Sequence, residues 1–333
     1  MSRPDLVALH RALTALPAFA ELAPAELVPL PAKGLSHGHV RVKSRRVLLR
    51  IPRARAEAGA ALAREAEMFK RAQPSDATPR LHGVLAVSAE LPGGALIVDE
   101  IPGANPKLPA GIPALGATLA AIHKLEPPAE AARAPLETPA DPVRDVVATI
   151  EANFALLDKA GLDPKAKIAL GQELAWAKEF ASANEKRLAA FARRLCVVDT
   201  HPGNFVVAPG GRAYFVDIEK CVYSLPGLDL AHAVTRPALA WDADCATTLG
   251  PADIDAYIRA WSTKVGDALT RETLAAMRPF RRLVWLRTTS QFVRFRVEGT
   301  HKALDGRYAD HAEKAIAAAL DLATIADQRK AWG

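Results

Sequence analysis

Apolar and polar positions follow two different periodicities along the chain, and the change between them divides it in two. In the first third, "GLSHGHVRVKSRRVLLRIPR" places two short apolar runs around a Lys-Ser-Arg-Arg turn, which predicts a hairpin. Residues 54–72, rich in Ala, Glu, Arg and Leu, predict an amphipathic helix. The runs "PRLHGVLAV" and "GALIVDE" predict two more strands. This order of elements predicts a small, mostly antiparallel sheet with one helix.

Helical periodicity dominates from residue 101 onward, beginning with "PALGATLAAIHKL". At 163–164 an Asp-Pro pair supplies the N-cap and first residue of a long helix. The N-terminal segment "MSRPDLVALHRALTALPAFAEL" predicts a short amphipathic helix that precedes the sheet. We also expect a helix over Val143–Leu157, strands at Leu195–Val198, Phe205–Val207 and Tyr214–Val216, and only helices after them to Gly333. The predicted fold class is α+β.

Composition and charge argue against several classes of protein. Half of the 333 residues are apolar, enough for the core of one large domain or two lobes. No apolar run reaches the roughly 18 to 20 residues that span a bilayer, so we expect no membrane span. The net charge of +6 is spread along the chain and does not indicate nucleic-acid binding. Three irregularly spaced cysteines, Cys196, Cys221 and Cys245, predict core packing in a reduced, cytoplasmic protein.

One loop carries an unusual set of polar residues between two strand-like runs. In "CVVDTHPGNFVV" Asp199 precedes Asn204 by five residues, and Asp217 ends the next strand. A carboxylate in such a loop can orient an attacking hydroxyl and accept its proton. An amide oxygen and a second carboxylate nearby are hard oxygen ligands of the kind that Mg²⁺ prefers. Together these groups indicate phosphoryl transfer, in which the protein mainly positions reactants and neutralises charge.

The same segment resembles the aminoglycoside phosphotransferase and choline kinase superfamily of small-molecule kinases. The family pattern is His-Gly-Asp, one residue, His-Pro-Gly-Asn, then a strand ending in Ile-Asp and a later Pro-x-x-Asp-Leu-Ala. The corresponding residues of this chain are "VVDTHPGNFVV" followed by "AYFVDIEKCVYSLPGLDLAHA". The resemblance implies a protein-kinase-like fold of two lobes, a nucleotide-binding lobe over 1–100 and a catalytic, substrate-binding helical lobe over 101–333. It also implies an ATP- and Mg²⁺-dependent enzyme that phosphorylates a hydroxyl of a small molecule.

The resemblance assigns a role to each matched residue. It implies that Asp199 is the catalytic base, that Asn204 and Asp217 hold magnesium, and that Asp229 braces the catalytic loop. In the first lobe the matches concern the nucleotide. They are Gly34 and Ser36 in the loop over the phosphates, Arg50 on a strand for the phosphates, Glu65 as its helix partner, and the backbone of Asp99 and Ile101 at the adenine edge.

Two departures from the pattern keep another function open. The His two residues before the catalytic Asp is Val197 here, which removes a polar brace, and the phosphate loop lacks Gly-x-Gly-x-x-Gly. These departures favour a pseudokinase that serves as a binding or regulatory module, whereas the intact Asp, Asn and Asp favour an active kinase. A protein kinase is a weaker option because no segment between Asp217 and Asp229 is long enough for a peptide-docking activation loop.

Simpler structural roles also stay open for several residues. Asp199 could cap a turn and Asn204 could simply satisfy loop amides. Arg50 with Glu65 could be a surface ion pair that contributes little stability. His201 is interpreted as a loop-packing histidine, and Glu219 as an ordinary strand-end acid. His37 and His39 could form a metal pair, but the preferred interpretation is a solvated strand face.

The resemblance implies that the acceptor binds between Asp199 and the helices of the second lobe. Residues 278–302 hold six Arg and one Lys against a single Glu. One hypothesis is that an anionic acceptor, such as a phosphorylated or carboxylated sugar or a lipid headgroup, contacts some of these arginines: Arg281, Arg282, Arg287, Arg294 and Arg296. The other is a solvated helix face whose Arg stems cover apolar surface. The sequence leaves open the identity of the acceptor, the choice between ATP and GTP, and the oligomeric state.

Overall fold

The first lobe is built on a five-stranded antiparallel sheet. The computed structural model describes residues 5–31, 33–53 and 57–332. The sheet has the order β1-β2-β3-β5-β4. Its strands are β1 (Leu27–Pro29), β2 (His37–Val42), β3 (Val47–Pro52), β4 (Leu81–Leu85) and β5 (Ala95–Asp99). The predicted hairpin is confirmed as β2 and β3, in which Val42 faces Val47 across the turn.

Strand β1 was not predicted from the sequence. It lies in a segment with prolines at both ends and pairs Leu27 with Val42 on the outer side of β2. Three residues are too few to show a period-two pattern, so only the pairing with β2 identifies the strand.

Helices make up most of the remaining chain. In the first lobe they are α1 (Leu6–Thr14) and α2 (Ala58–Ala72); the predicted N-terminal residues 1–4 and helix start at 54–56 lie outside the described residues. The others are α3 (Ile112–His123), α4 (Pro142–Phe154), α5 (Pro164–Ala189), α6 (Pro226–His232), α7 (Arg236–Trp241), α8 (Pro251–Val265), α9 (Asp267–Ala275), α10 (Met277–Glu298), α11 (Arg307–Ala319) and α12 (Leu322–Trp332). Within the described chain no helix is long and apolar enough to cross a membrane.

Two short two-stranded sheets flank the polar loop of the second lobe. Strands β7 (Phe205–Val207) and β8 (Ala213–Phe215) pair with each other, and β6 (Arg194–Cys196) pairs with β9 (Val222–Ser224). The prediction that only helices follow residue 216 is therefore wrong at β9. The pairing of β9 with a strand about 28 residues earlier is a tertiary contact that local sequence does not encode.

The two faces of β5 join two different cores. Ala95 and Ile97 face the core that also contains Leu9 and Leu13 of α1. Leu96 and Val98 face the larger core, which runs through α2 into the helices of the second lobe. Successive residues of a strand point to opposite faces, so this sheet is covered on both sides. The fold is the expected two-lobed α+β arrangement.

Helices α3 and α8 approach closely at Gly116. A Cβ atom added there would collide with the backbone oxygen of Tyr257 in α8. We expect Gly116→Ala to lower the free energy of unfolding by about 1–3 kcal/mol, because overpacking forces the helices apart. Gly171→Ala in α5, where an added Cβ meets nothing within 4 Å, is the matched control and should stabilise by up to about 1 kcal/mol. Urea unfolding measures both, and equal shifts would contradict the packing argument.

Candidate active site

A cleft of about 1200 Å³ runs between the sheet lobe and the helical lobe. Its walls come from the β1–β2 loop, β3, the segment after β5, the loop that follows β6, the end of β8, and α10. Of the residues predicted for the site, Gly34, Ser36, Arg50, Asp99, Ile101, Asp199, Asn204 and Asp217 line this cleft, and Glu65 lies behind Arg50. The tertiary fold thus brings together residues from both lobes.

Asp229 holds the loop that carries Asp199 by accepting hydrogen bonds from its backbone. The buried carboxylate of Asp229 accepts the backbone N–H groups of Val197 at 2.7 Å and Val198 at 3.0 Å. Val198 has a φ of +68°, which is rare for a β-branched residue and persists only where the surroundings impose it. The structure thus gives Asp229 the bracing contacts that the resemblance implied.

A buried relay orients Asp229 in turn. The indole N–H of Trp261 donates to Nδ1 of His123 at 3.0 Å. The proton of His123 is therefore on Nε2, which donates to Asp229 at 3.2 Å. All three side chains are almost fully buried. The sequence showed no signal for this relay, because its members come from α3, α6 and α8.

A second buried histidine supplies a polar brace on the other side of the loop. Nδ1 of His232 accepts the backbone N–H of Thr200 at 3.1 Å. Burial and the positive charge of Arg287 lower the pKa of His232 well below its ordinary value, so the ring is neutral and can accept. Val197 cannot provide the polar brace of the family's histidine, but His232 of α6 braces the same loop through Thr200 instead.

Asp199 pairs with a lysine that the sequence reasoning missed. Nζ of Lys220 lies 2.6 Å from Oδ2 of Asp199, and Nδ2 of Asn204 donates to the backbone oxygen of Asp199 at 2.8 Å. Burial raises the pKa of Asp199, but Lys220 outweighs it and holds this pKa well below the usual range. Asp199 is therefore a carboxylate near neutral pH. These contacts leave no support for the idea that Asp199 merely caps a turn.

Arg50 is the centre of a buried ionic cluster. Its Nε donates to Glu65 at 2.5 Å, and its Nη2 donates to Asp217. Arg50 and Glu65 are 5% and 6% exposed, so the interpretation as a surface ion pair is wrong. The cluster joins β3, α2 and the segment after β8, and it places a guanidinium beside the predicted metal ligand.

His37 belongs to the same cluster. Its Nε2 lies 2.9 Å from Glu65 and its Nδ1 lies 3.0 Å from Glu219. The preferred interpretation of a solvated strand face is wrong for His37, which is 6% exposed. Glu219, interpreted as an ordinary strand-end acid, instead lines the cleft and also lies 3.7 Å from Arg50. For His39, burial and the charge of Arg50 lower the pKa to about 3, so this histidine is neutral.

The loop over the cleft is joined to the second lobe. Lys33 pairs with Asp244 and donates to Oδ1 of Asn105 at 3.0 Å. Gly34 and Ser36 follow and are exposed along the cleft edge. At the far end, the amide of Asp99 already donates to Arg80, whereas the amide of Ile101 bonds to no described residue. Ile101 is therefore the better placed donor of the two predicted hinge residues.

The donor set suits a hard divalent cation beside Asp217. The amide nitrogen of Asn204 is used by Asp199, which leaves its side-chain oxygen as the group available for a metal. Asp217 offers a carboxylate that is 25% exposed to the cleft. His37, Asp217 and Glu219 also lie close enough to share an ion, but both ring nitrogens of His37 are engaged by carboxylates. Asn204 and Asp217 thus fit magnesium, which prefers oxygen ligands.

The sequence of residues 26–280 matches the model of the phosphotransferase enzyme family. The chain belongs to this family. No curated protein shows significant similarity to the sequence. The resemblance seen in the catalytic segment is therefore confirmed over most of the chain, and the protein is a phosphotransferase.

Solved structures with the same fold include a choline kinase, an ethanolamine kinase and an aminoglycoside phosphotransferase. A choline kinase from Cryptosporidium parvum is 11% identical with a TM-score of 0.63, and the match covers 95% of this phosphotransferase and 94% of the choline kinase. An ethanolamine kinase from Plasmodium vivax is 12% identical with a TM-score of 0.59, covering 94% and 88%. Aminoglycoside 2'-phosphotransferase-IIIa, solved with GDP, is 13% identical with a TM-score of 0.63, covering 95% and 99%. At these identities the likeness shows the fold.

Proposed function

We propose that this phosphotransferase moves the γ-phosphate of ATP to a hydroxyl group of a small molecule, with Mg²⁺ bound at Asn204 and Asp217. The observation that carries the proposal is that Asp199, an ionised carboxylate bonded through its backbone to Asn204, lines the same cleft as Asp217 and Arg50. In the proposed arrangement the lobe of residues 1–100 binds the nucleotide and the lobe of residues 101–333 binds the acceptor.

In the proposed reaction Asp199 orients the acceptor hydroxyl and takes its proton as the oxygen attacks the γ-phosphorus. The new P–O bond to the acceptor forms while the bond to the leaving ADP oxygen breaks. Lys220 keeps Asp199 ionised before this step. Arg50, oriented by Glu65, contributes positive charge beside the phosphates. Asn204 and Asp217 would hold magnesium, which would supply further positive charge to offset that of the phosphates.

This geometry gives little support to the pseudokinase alternative. The substitution at Val197 is offset by the bond from Thr200 to His232, and the residues expected to bind metal and accept the proton are all present in the cleft. Three free, buried cysteines are consistent with the proposed reduced, cytoplasmic setting.

Thermal unfolding with Mg-ATP tests the nucleotide and metal part of the proposal. At 100 times its Kd a ligand stabilises the native state by about 2.7 kcal/mol, which raises Tm by several degrees. We expect this shift in the wild type only when Mg²⁺ is present. Asp217→Asn should lose the shift relative to its own unliganded Tm, because a neutral amide binds the cation weakly.

Asp255→Asn is the control, since Asp255 is exposed on α8 and lies outside the cleft. It should keep the full shift with Mg-ATP. Parallel measurements with Mg-GTP decide which nucleotide is the donor. If Mg-ATP and Mg-GTP both leave the wild-type Tm unchanged, the proposed function is wrong.

A further inference from the structure

We propose that the acceptor carries an anionic group, a carboxylate or a phosphate, which binds the guanidinium of Arg287 on the catalytic side of the cleft. This inference rests on the proposed kinase function and names the chemical class of its acceptor. The evidence is the different placement of the five arginines that the sequence singled out on α10.

Four of these arginines do not line the cleft. Arg282 makes a bidentate pair with the buried carboxylate of Glu173 at 2.7 and 3.0 Å, and it stacks on Trp176. The other three lie elsewhere on α10: Arg281 over the ring of Trp332, Arg294 paired with Glu298, and Arg296 exposed. The hypothesis of an anion site is therefore wrong for these four positions.

Arg287 differs because it faces the cleft without a carboxylate partner. Its Nη2 donates to the backbone oxygen of Val198 at 3.1 Å. Among the described residues no carboxylate lies within ion-pair distance of Arg287. A guanidinium has five N–H donors, so most of those on Arg287 are left for a ligand or water in the cleft.

Leaving this cation unpaired is unfavourable in the free protein. Burial lowers the pKa of Arg287, although the negative charges of Asp199 and Asp229 raise it. An anion that accepted the free N–H groups would form charge-assisted hydrogen bonds and remove this penalty. Because Arg287 contacts the residue before Asp199, an anion bound there would lie close to the reacting hydroxyl.

The rest of the same helix face suggests what else the acceptor contacts. Thr288 and Gln291 line the cleft next to Arg287. One and two turns further, Phe292 and Phe295 also line it, each with its ring centroid 5.4 Å from that of Trp241. The face therefore passes from a cationic, polar end at the catalytic loop to an aromatic end. A compact anionic hydroxy compound fits the polar end, and an attached ring or apolar group fits the aromatic end.

The alternative is a cationic acceptor, which other acidic residues of the cleft would favour. Glu137 pairs with Arg64, and Asp242 accepts the backbone N–H of Asp244. Asp145 is largely exposed. Its pKa is raised by partial burial and by the negative charges of Asp141 and Glu137. Lys220 contacts Asp199 and Arg287 contacts the backbone of Val198, so two cations touch the loop that carries Asp199, which favours an anion there.

A matched panel of acceptors tests the inference. A neutral polyol is compared with its terminal carboxylate, its terminal phosphate and its terminal amine, and acceptor-dependent ADP release is measured with Mg-ATP. We expect kcat/KM for the carboxylate or the phosphate to exceed that for the neutral polyol by about 10–100-fold, the effect of one or two charge-assisted hydrogen bonds. The two anionic members separate a carboxylate site from a phosphate site. Preference for the amine would overturn the inference in favour of the cationic alternative.

Variants of Arg287 separate anion binding from support of the loop. Arg287→Met should remove the preference for anions, lowering the ratio of kcat/KM for the anion over the neutral polyol by about 10–100-fold. Loss of the bond to Val198 alone would lower both values equally and leave the ratio unchanged. Arg287→Glu should reverse the preference toward the amine. Arg294→Met, which removes an exposed charge from the same helix, should leave the ratio at the wild-type value.

The outcomes distinguish this inference from the proposed function. If ADP release depends on an acceptor but the ratio is the same in wild type and Arg287→Met, the protein is a kinase and the anion site is wrong. If Mg-nucleotide fails to stabilise the wild type and no panel member stimulates ADP release, the proposed function itself fails.

Discussion

Replacement of Asp199 by Asn is expected to lower kcat by about 10²–10⁴-fold while binding of Mg-ATP is retained, which is the usual contribution of a general base. The amide has the shape of the carboxylate but cannot take a proton from the attacking hydroxyl. Asn204 bonds to the backbone oxygen of Asp199, so that contact survives the substitution. The loss should therefore appear in kcat more than in the affinity for nucleotide.

Steady-state ADP release measures this effect, with an acceptor found in the panel or with water as a slow acceptor. The thermal shift with Mg-ATP should stay within about one degree of the wild-type shift, since a change in Kd of a few-fold moves it little. Asp255→Asn provides the control because Asp255 is an exposed carboxylate on α8 that lies outside the cleft. A kcat for Asp199→Asn close to that of the control would mean that another group accepts the proton.

The substitution Asp229→Asn should have the largest effect on folding, lowering the free energy of unfolding by about 3 kcal/mol. The carboxylate of Asp229 is 1% exposed and accepts bonds from two backbone N–H groups and from His123. An amide keeps one acceptor oxygen and points an NH₂ group at a donor. At least one buried donor then loses its partner in a region that water cannot reach.

The same substitution should also lower kcat, because Val198 keeps its unfavourable backbone conformation only while the loop is held. Urea unfolding gives the stability, and Asp255→Asn on the exposed face of α8 is the control. An unchanged midpoint for Asp229→Asn would show that the loop does not depend on this carboxylate. A lowered midpoint with unchanged kcat would separate its role in folding from a role in positioning Asp199.

Most residues that line the candidate site could be identified from the sequence because they are concentrated in short stretches. Asp199, Asn204 and Asp217 lie within one segment whose residue types and spacing indicate phosphoryl transfer without reference to the fold. The first-lobe residues were identified only by resemblance, yet Arg50 and Glu65 are indeed bonded to each other. Their bond to the second lobe through Asp217 was not predictable, since it joins residues 167 positions apart.

The arginines of α10 show where sequence reasoning ends. Composition established that this helix is strongly basic, but the partners of the five arginines depend on which elements pack beside each turn. Arg282 binds Glu173, which lies 109 residues earlier in α5, whereas Arg287 meets the catalytic loop. The same residue type therefore serves as a buried ion-pair partner at one position and as a candidate anion-binding group at another.

The sequence by itself determined the local elements and the chemical repertoire. The hairpin of β2 and β3, the start of α5 at its Asp-Pro pair and the catalytic segment all follow from propensities and spacings that act within a few residues. Only the tertiary structure decided the pairing of β9, the burial of His37, the contact of Lys220 with Asp199, and the relay from Trp261 to Asp229. Periodicity specifies which face of an element is buried, but the partner of a charged or polar side chain depends on the packing of distant elements.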